Sequence, residues 1–168
     1  MTPTHLPPTL IIRHDLQPGD IGLVVTHHAR WYKPEFDYDH RFEGYVARTM
    51  GEFVIAYNRQ NDRLWMVEDA GQFVGCIAIV GRPGNCGQLR WFLLHEQYRG
   101  RGLGKYLIGL ALDFCRERGF DSVYLLTTND QLIAHRLYGR SGFVLTHEDE
   151  PTAPWGPVVR EQRYELAL

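Results

Sequence analysis

Cysteine is scarce in this chain, and the three present, Cys76, Cys86 and Cys115, are odd in number and show no C-x-x-C spacing. That removes a disulfide framework and a metal site, and predicts buried free thiols in or beside core elements. No apolar run approaches the roughly 20 residues that a bilayer span requires, so no membrane partner is expected. The opening stretch, residues 1–9, lacks the basic start and long apolar core of a secretory leader, which predicts a cytoplasmic protein. Neither sign of charge is in excess. The 18 Lys and Arg against 20 Asp and Glu leave a formal charge of −2, with no basic field to attract nucleic acid. Repeats and low-complexity segments are also missing, so the 168 residues are expected to form one domain, residues 1–168, with a core of its own.

What is present is a clear succession of periodicities. Leu10 to Arg13 is a short strand, Pro18-Gly19-Asp20 opens a helix reaching about Trp31, and Phe42, Tyr45, Val46, Met50, Phe53, Val54 and Tyr57 repeat at helical spacing. Arg63 to Glu68 and Gln72 to Val80 form a hairpin around Asp69-Ala70-Gly71, and a turn cluster precedes the strand Gln88 to Leu94. A helix follows with Leu103, Leu107, Leu110, Ala111 and Phe114 as its apolar stripe, stopped by Gly119. Val123 to Thr127 is the next strand, Asp130 to Arg140 a short helix, and two closing strands cover Phe143 to Glu148 and Gln162 to Leu166.

Between strand and helix lies Arg99-Gly100-Arg101-Gly102-Leu103-Gly104-Lys105. Alternating glycines leave backbone N–H groups uncovered, a helix start adds its free N–H groups and positive dipole end, and Arg99, Arg101 and Lys105 supply counter-charge. The segment reads as a phosphate cradle. It is not a P-loop, because Arg99 holds the first glycine position and Tyr106 the hydroxyl position that would reach magnesium. Nor is it a dinucleotide fingerprint, because the sixth place is Lys105 or Leu107 depending on where counting begins.

Arg99-x-x-Gly102-x-Gly104 resembles the pyrophosphate loop of the GNAT acyl-CoA N-acyltransferases. Trp91 to Tyr98 is similar to that family's fourth strand and its exit, with Glu96 where a Pro is frequent. Ala134-x-x-x-Tyr138-x-x-x-Gly142-Phe143 resembles its second signature. Together with the periodicities, the resemblance implies an α+β, three-layer fold: a mixed, mostly antiparallel seven-stranded sheet with helices on both faces. Its fourth and fifth strands would splay around the donor, acetyl-CoA, with no metal. The backbone of Phe92, Leu93 and Leu94 would pair with the pantetheine arm as another strand would. Arg99, Gly100, Arg101, Gly102, Leu103 and Gly104 would hold the pyrophosphate, with Lys105, Arg136 and Arg140 either at the adenosine phosphates or on a solvated face. Gln131 stands where the family often has a cofactor-binding Asn; Asn129 competes for that contact or caps the following helix. Pro18 to Gly22 followed by a long second helix also resembles acetyltransferase domains fused behind MarR-type winged-helix regulators. This sequence carries no winged helix, so no DNA binding follows.

The resemblance assigns bond-making to Tyr138, whose phenol beside the sulfur would protonate the departing CoA thiolate; by spacing alone Tyr138 reads as a core tyrosine packed on Ala134. Some relatives carry a Glu base at the end of the fifth strand, where this chain has Leu126. The base must then come from Glu35, Asp37, Asp39, Glu43, His28 or His147, with Glu43, on a helix expected to turn inward beside Phe42, first and Glu35 second. Trp31 to Asp39 reads as an acidic and aromatic joint suited to a cationic amine. Residues 147–157, with three prolines, form either a surface loop or a cover for the acceptor with Trp155 as its apolar tip. Three functions stay open: transfer to a small or amino-acid-like amine, transfer to a protein N-terminus or lysine, and acyl-CoA sensing without catalysis. A homodimer is compatible with each.

Overall fold

A computed structural model describes residues 6–168; residues 1–5, part of the stretch read for a leader, lie outside the described residues. Seven strands form one sheet in the order β1-β2-β3-β4-β5-β7-β6. They are β1 (Leu10–Arg13), β2 (Arg63–Asp69), β3 (Gln72–Arg82), β4 (Cys86–Leu94), β5 (Ser122–Thr128), β6 (Val144–Glu148) and β7 (Glu161–Ala167). Every neighbouring pair is antiparallel except β4 and β5. The helices are α1 (Asp20–Phe36), α2 (His40–Ile55), α3 (Leu103–Glu117) and α4 (Leu132–Arg140). Among the described residues no helix is long and apolar enough to cross a membrane.

The central strands are apolar on both faces because both are covered. Trp65, Val67, Ile77 and Ile79 face α3 and α4, while Leu64, Met66, Cys76 and Ala78 face α1 and α2. Removing a side chain such as Leu107 from the first layer would cost about 2–5 kcal/mol, since its neighbours cannot collapse fully into the space. Cys76 and Cys115 are buried free thiols; Cys86, at the start of β4, is only partly covered.

Two deviations shape the site. First, α1 runs on through Pro34 to Phe36, so most of the segment read as a joint is helix. Pro34 lies in the final turn, where it removes the one N–H that would bond the Arg30 carbonyl, and Tyr32 and Phe36 pack edge to face at 5.1 Å in that turn. Second, β4 carries a bulge. Ala78 pairs with Arg90 and Cys76 with Leu93, so two β4 residues, Trp91 and Phe92, stand against the single Ile77 of β3. The extra residue is Trp91, whose φ of 45° lies in the left-handed region. Strand alternation would put Arg90 and Trp91 on opposite faces. With the bulge, Arg90 reaches Tyr45 of α2 and Trp91 stacks near Phe53 of the same helix.

Candidate active site

Strands β4 and β5 pair only from Cys86–Ser122 to Leu89–Leu125. Beyond that point they separate, leaving one edge of β4 from Arg90 to Leu94 without a strand partner. The free edge leads through the short turn Glu96–Tyr98 to residues 99–102 and the start of α3. Gly100 and Gly102 have φ of 74° and 86°, and no side chain caps α3 at Gly102. The first intrahelical bond is donated by Tyr106 to the Gly102 carbonyl, so the N–H groups of Leu103, Gly104 and Lys105 point out of the helix end unpaired. Gly104 has a second reason to be glycine: a Cβ there would meet Leu137 Cδ2 of α4 at 3.0 Å.

The cationic side chains of the loop are not equivalent. Arg99 is turned away from the helix end. Its guanidinium donates to both Glu35 carboxylate oxygens at 2.8 and 2.9 Å and to the Leu94 carbonyl at 2.9 Å. Arg101 and Lys105 are exposed and join no ion pair among the described residues.

Where β4 and β5 diverge, a cavity of about 100 Å³ opens between α1, α2, the two strands and Trp155. Tyr138 lines it, buried, with its ring 6.4 Å from Phe92 and 6.1 Å from Tyr164. Burial, aided by Tyr164, pushes the phenol well above its usual range, so it stays protonated. Phe92 and Gln131 line the same cavity, and Gln131 Nε2 donates to Thr128 Oγ1 at 3.1 Å. Trp155 packs within 5.0–5.3 Å of Tyr38, Phe42 and Tyr45, and its carbonyl accepts from the Asp39 N–H at 2.9 Å. The 147–157 segment thereby adds an indole to the cavity wall.

Several expectations are corrected. Glu43 lies on the solvent face of α2, exposed beside a shallow surface cleft, because Phe42 and Val46 take the inward face. Glu35 stands in the last turn of α1, locked to Arg99. Asp37 pairs with Lys33, Asp39 caps α2 and holds Arg41, and His147 is exposed against Asp149. Asn129 neither caps α4 nor lines the cavity: its Oδ1 accepts the Arg160 N–H at 2.8 Å and pins the approach to β7.

His28 does reach the cavity. Its Nδ1 bonds the Val24 carbonyl at 2.8 Å, and burial lowers its pKa to about 4, keeping it neutral. The carboxylate that lines the cavity is Glu161, opposite Thr128 at the start of β7. Desolvation, with Asp149 adding, raises its pKa, and Arg90 opposes the rise. Sequence reading passed over Glu161 because nothing marks one acidic residue in a strand rich in them; only the β5–β7 register sets it at the cavity. Among the described residues no cluster of His, Cys, Asp or Glu is arranged to hold a metal ion.

Comparison with known proteins gives one family. The profile of the Acetyltransferase (GNAT) family matches residues 25–143. N-acetyltransferase family 8 member 2 of Rattus norvegicus is 33% identical over 111 residues, 61% of this chain and 49% of that protein. N-acetyltransferase 8 of the same species is 36% identical over 117 residues, 64% of this chain and 53% of that protein. The chain thus spans about half the length of the curated relatives it matches. A GNAT acetyltransferase from Staphylococcus aureus Mu50 superimposes with a TM-score of 0.76 at 18% identity, covering 95% of this chain and 99% of that one. A Bacillus anthracis structure described as a streptothricin acetyltransferase in complex with acetyl coenzyme A gives 0.59 at 20% identity, over 69% and 68% of the two chains. At such identities the structures speak for the fold.

Proposed function

This chain belongs to the GNAT acetyltransferase family and is an acyltransferase, and from that premise we propose that it transfers the acetyl group of acetyl-CoA to the primary amine of a small molecule. The observation that carries the reading is the continuity of three features: the unpaired β4 edge, the uncapped start of α3, and a cavity with Tyr138 in its wall.

Acetyl-CoA fits this arrangement. The edge from Arg90 to Leu94 offers N–H and C=O groups to the amides of the pantetheine arm, as a further strand would. The free N–H groups of Leu103, Gly104 and Lys105 suit the pyrophosphate, with Arg101 and Lys105 as exposed counter-charges. Arg99 acts differently: it ties the loop to α1 and so to the acceptor wall.

The acceptor amine must lose a proton before it attacks, since a free alkylammonium is almost fully charged at neutral pH. Glu161, which lines the cavity, would take that proton, directly or through one water, and its raised pKa makes it a better base than an ordinary carboxylate. The neutral nitrogen then adds to the thioester carbonyl carbon, the C–S bond breaks with its electron pair going to sulfur, and the Tyr138 hydroxyl gives the thiolate its proton. The nitrogen gives its second proton to water as the C–S bond breaks and keeps the third in the amide, while solvent restores the Tyr138 proton and takes the one held by Glu161. Burial keeps the Tyr138 phenol protonated, so it would meet the developing thiolate as a hydrogen-bond donor and not as a base.

A small acceptor is supported over a protein because Trp155 and its aromatic neighbours wall the cavity where a peptide would need an open groove. Release of CoA thiol, measured across small amines and peptides, tests this. Turnover with small amines is expected. Turnover confined to peptides would move the assignment to protein acetylation, and tight acetyl-CoA binding without any turnover would favour a sensor.

A further inference from the structure

Two opposite charges face the cavity and neither has an ionic partner. Arg90 projects from β4 just before the bulge; its guanidinium lies 4.4 Å over the Trp91 ring and donates once, to the Tyr45 hydroxyl at 3.0 Å. A guanidinium has five N–H donors, so most of them remain for something else. Glu161 enters the cavity from β7. Among the described residues, neither side chain forms an ion pair, with the other or with any third group. Burial makes Arg90 hold its proton less firmly than in water, while Glu161, at the exposed edge of the cavity, holds its proton more firmly, and the Arg90 charge opposes that rise. An unpaired, partly buried guanidinium is costly to the fold, which marks Arg90, with the open Glu161 carboxylate facing the same cavity, as a candidate for ligand contact.

The sheet explains why they stay apart. β5 lies between β4 and β7, and two strand spacings separate their backbones by roughly 10 Å or more. That gap accommodates a molecule bearing a charge of each sign. Thr127 lines the same space from β5, and its buried hydroxyl finds no partner in the protein. The remaining wall is aromatic, built by Phe42, Tyr45 and Trp155.

We propose that the acceptor is a free α-amino acid with an apolar side chain: Arg90 takes the carboxylate, Glu161 the ammonium, and the aromatic wall the side chain. This rests on the small-amine reading and narrows it. A simple amine would leave Arg90 unpaired, and a peptide N-terminus lacks the adjacent carboxylate. The assignment also gives Glu161 its geometry, since anchoring the carboxylate at Arg90 turns the neighbouring nitrogen toward the base and toward the thioester side of the cavity.

The test uses the intact protein with saturating acetyl-CoA and compares L-phenylalanine with phenethylamine, which differs by the carboxylate alone, reading CoA thiol release. A charge-assisted pair is expected to make kcat/KM on the order of 10- to 100-fold higher for phenylalanine. Arg90→Gln should shrink that ratio toward one, and Arg90→Lys should restore part of it. Equal or better turnover of phenethylamine by the unaltered protein would overturn the proposal while leaving small-amine acetylation standing. A ratio that persists in Arg90→Gln would also overturn it. Acetylation of peptides with neither small compound accepted would remove both readings together. Because the unaltered protein decides the first comparison, poor folding of a variant does not protect the proposal.

Discussion

The sheet is covered by α3 and α4 on one face and by α1 and α2 on the other, and the two halves of the active site divide along the same line. On the first face, Leu103, Leu107, Ile108 and Ala111 of α3 pack on Ile77, Ile79 and Leu89, and the start of that helix presents bare backbone N–H groups. On the second, Tyr32, Phe42, Tyr45 and Trp155 line a cavity that also presents the side chains of Arg90, Thr127, Gln131 and Glu161. On the function proposed above, the donor half would work through backbone geometry that any acyl-CoA would satisfy. The acceptor half would work through particular side chains, where selectivity would reside.

The largest effect expected from breaking this division is at its seam. Tyr138→Phe keeps the ring and removes the proton, so kcat should fall about 100-fold with both KM values little changed; equal turnover would exclude proton donation. Glu161→Gln should lower kcat/KM for the amine by about 10- to 100-fold. It should also remove the acid limb of the pH profile. Because burial raises the Glu161 pKa, that limb in the unaltered protein lies above the ordinary carboxylate range, with activity lost as pH falls and the base becomes protonated. On the donor side, Gly102→Ala forces a side chain into φ of 86° and a Cβ near the phosphate path. The KM for acetyl-CoA should rise about 10-fold.

A smaller effect concerns stability in acid. His28 is buried neutral on the acceptor face with a pKa of about 4 against 6.5 when free. The unfolded chain therefore takes up a proton first, so stability is complete above pH 6.5 and falls as pH drops toward about 4. His28→Gln should flatten the fall of Tm over that interval by about 5 °C, read by thermal melts at several pH values. The least effect is expected of Glu43→Gln, whose side chain faces water on the far side of α2; its kcat/KM should stay within about twofold.

The donor half was legible in the sequence because its determinants are contiguous. Arg99 to Gly104 and Ala134 to Phe143 each lie within one turn or helix, and glycine spacing reports backbone conformation directly. The strands and helix faces followed for the same reason, from the β-formers of β2 and β3 and from the stripe on α3. The acceptor half could not be read in this way. Arg90 faces the cavity by its register with Ala78, and Trp91 joins it on that face only through the bulge, which depends on pairing with β3. Glu161 depends on its register with Thr128, and Trp155 on a loop folding back to Asp39. Glu43 misled because Phe42 beside it does turn inward, and on a helix the next residue is about 100° away. Arg99 looked like a phosphate ligand by position, but a carboxylate 64 residues earlier claims its fork.

The division itself is tested most directly by measuring both KM values, for acetyl-CoA and for the amine, in Gly102→Ala and Arg90→Gln side by side. The structure predicts opposite patterns: the glycine variant raises the KM for acetyl-CoA with the amine value nearly unchanged, and the arginine variant does the reverse. If both variants shift both constants together, the donor and acceptor sites are not separable, and the division between a backbone half and a side-chain half is wrong.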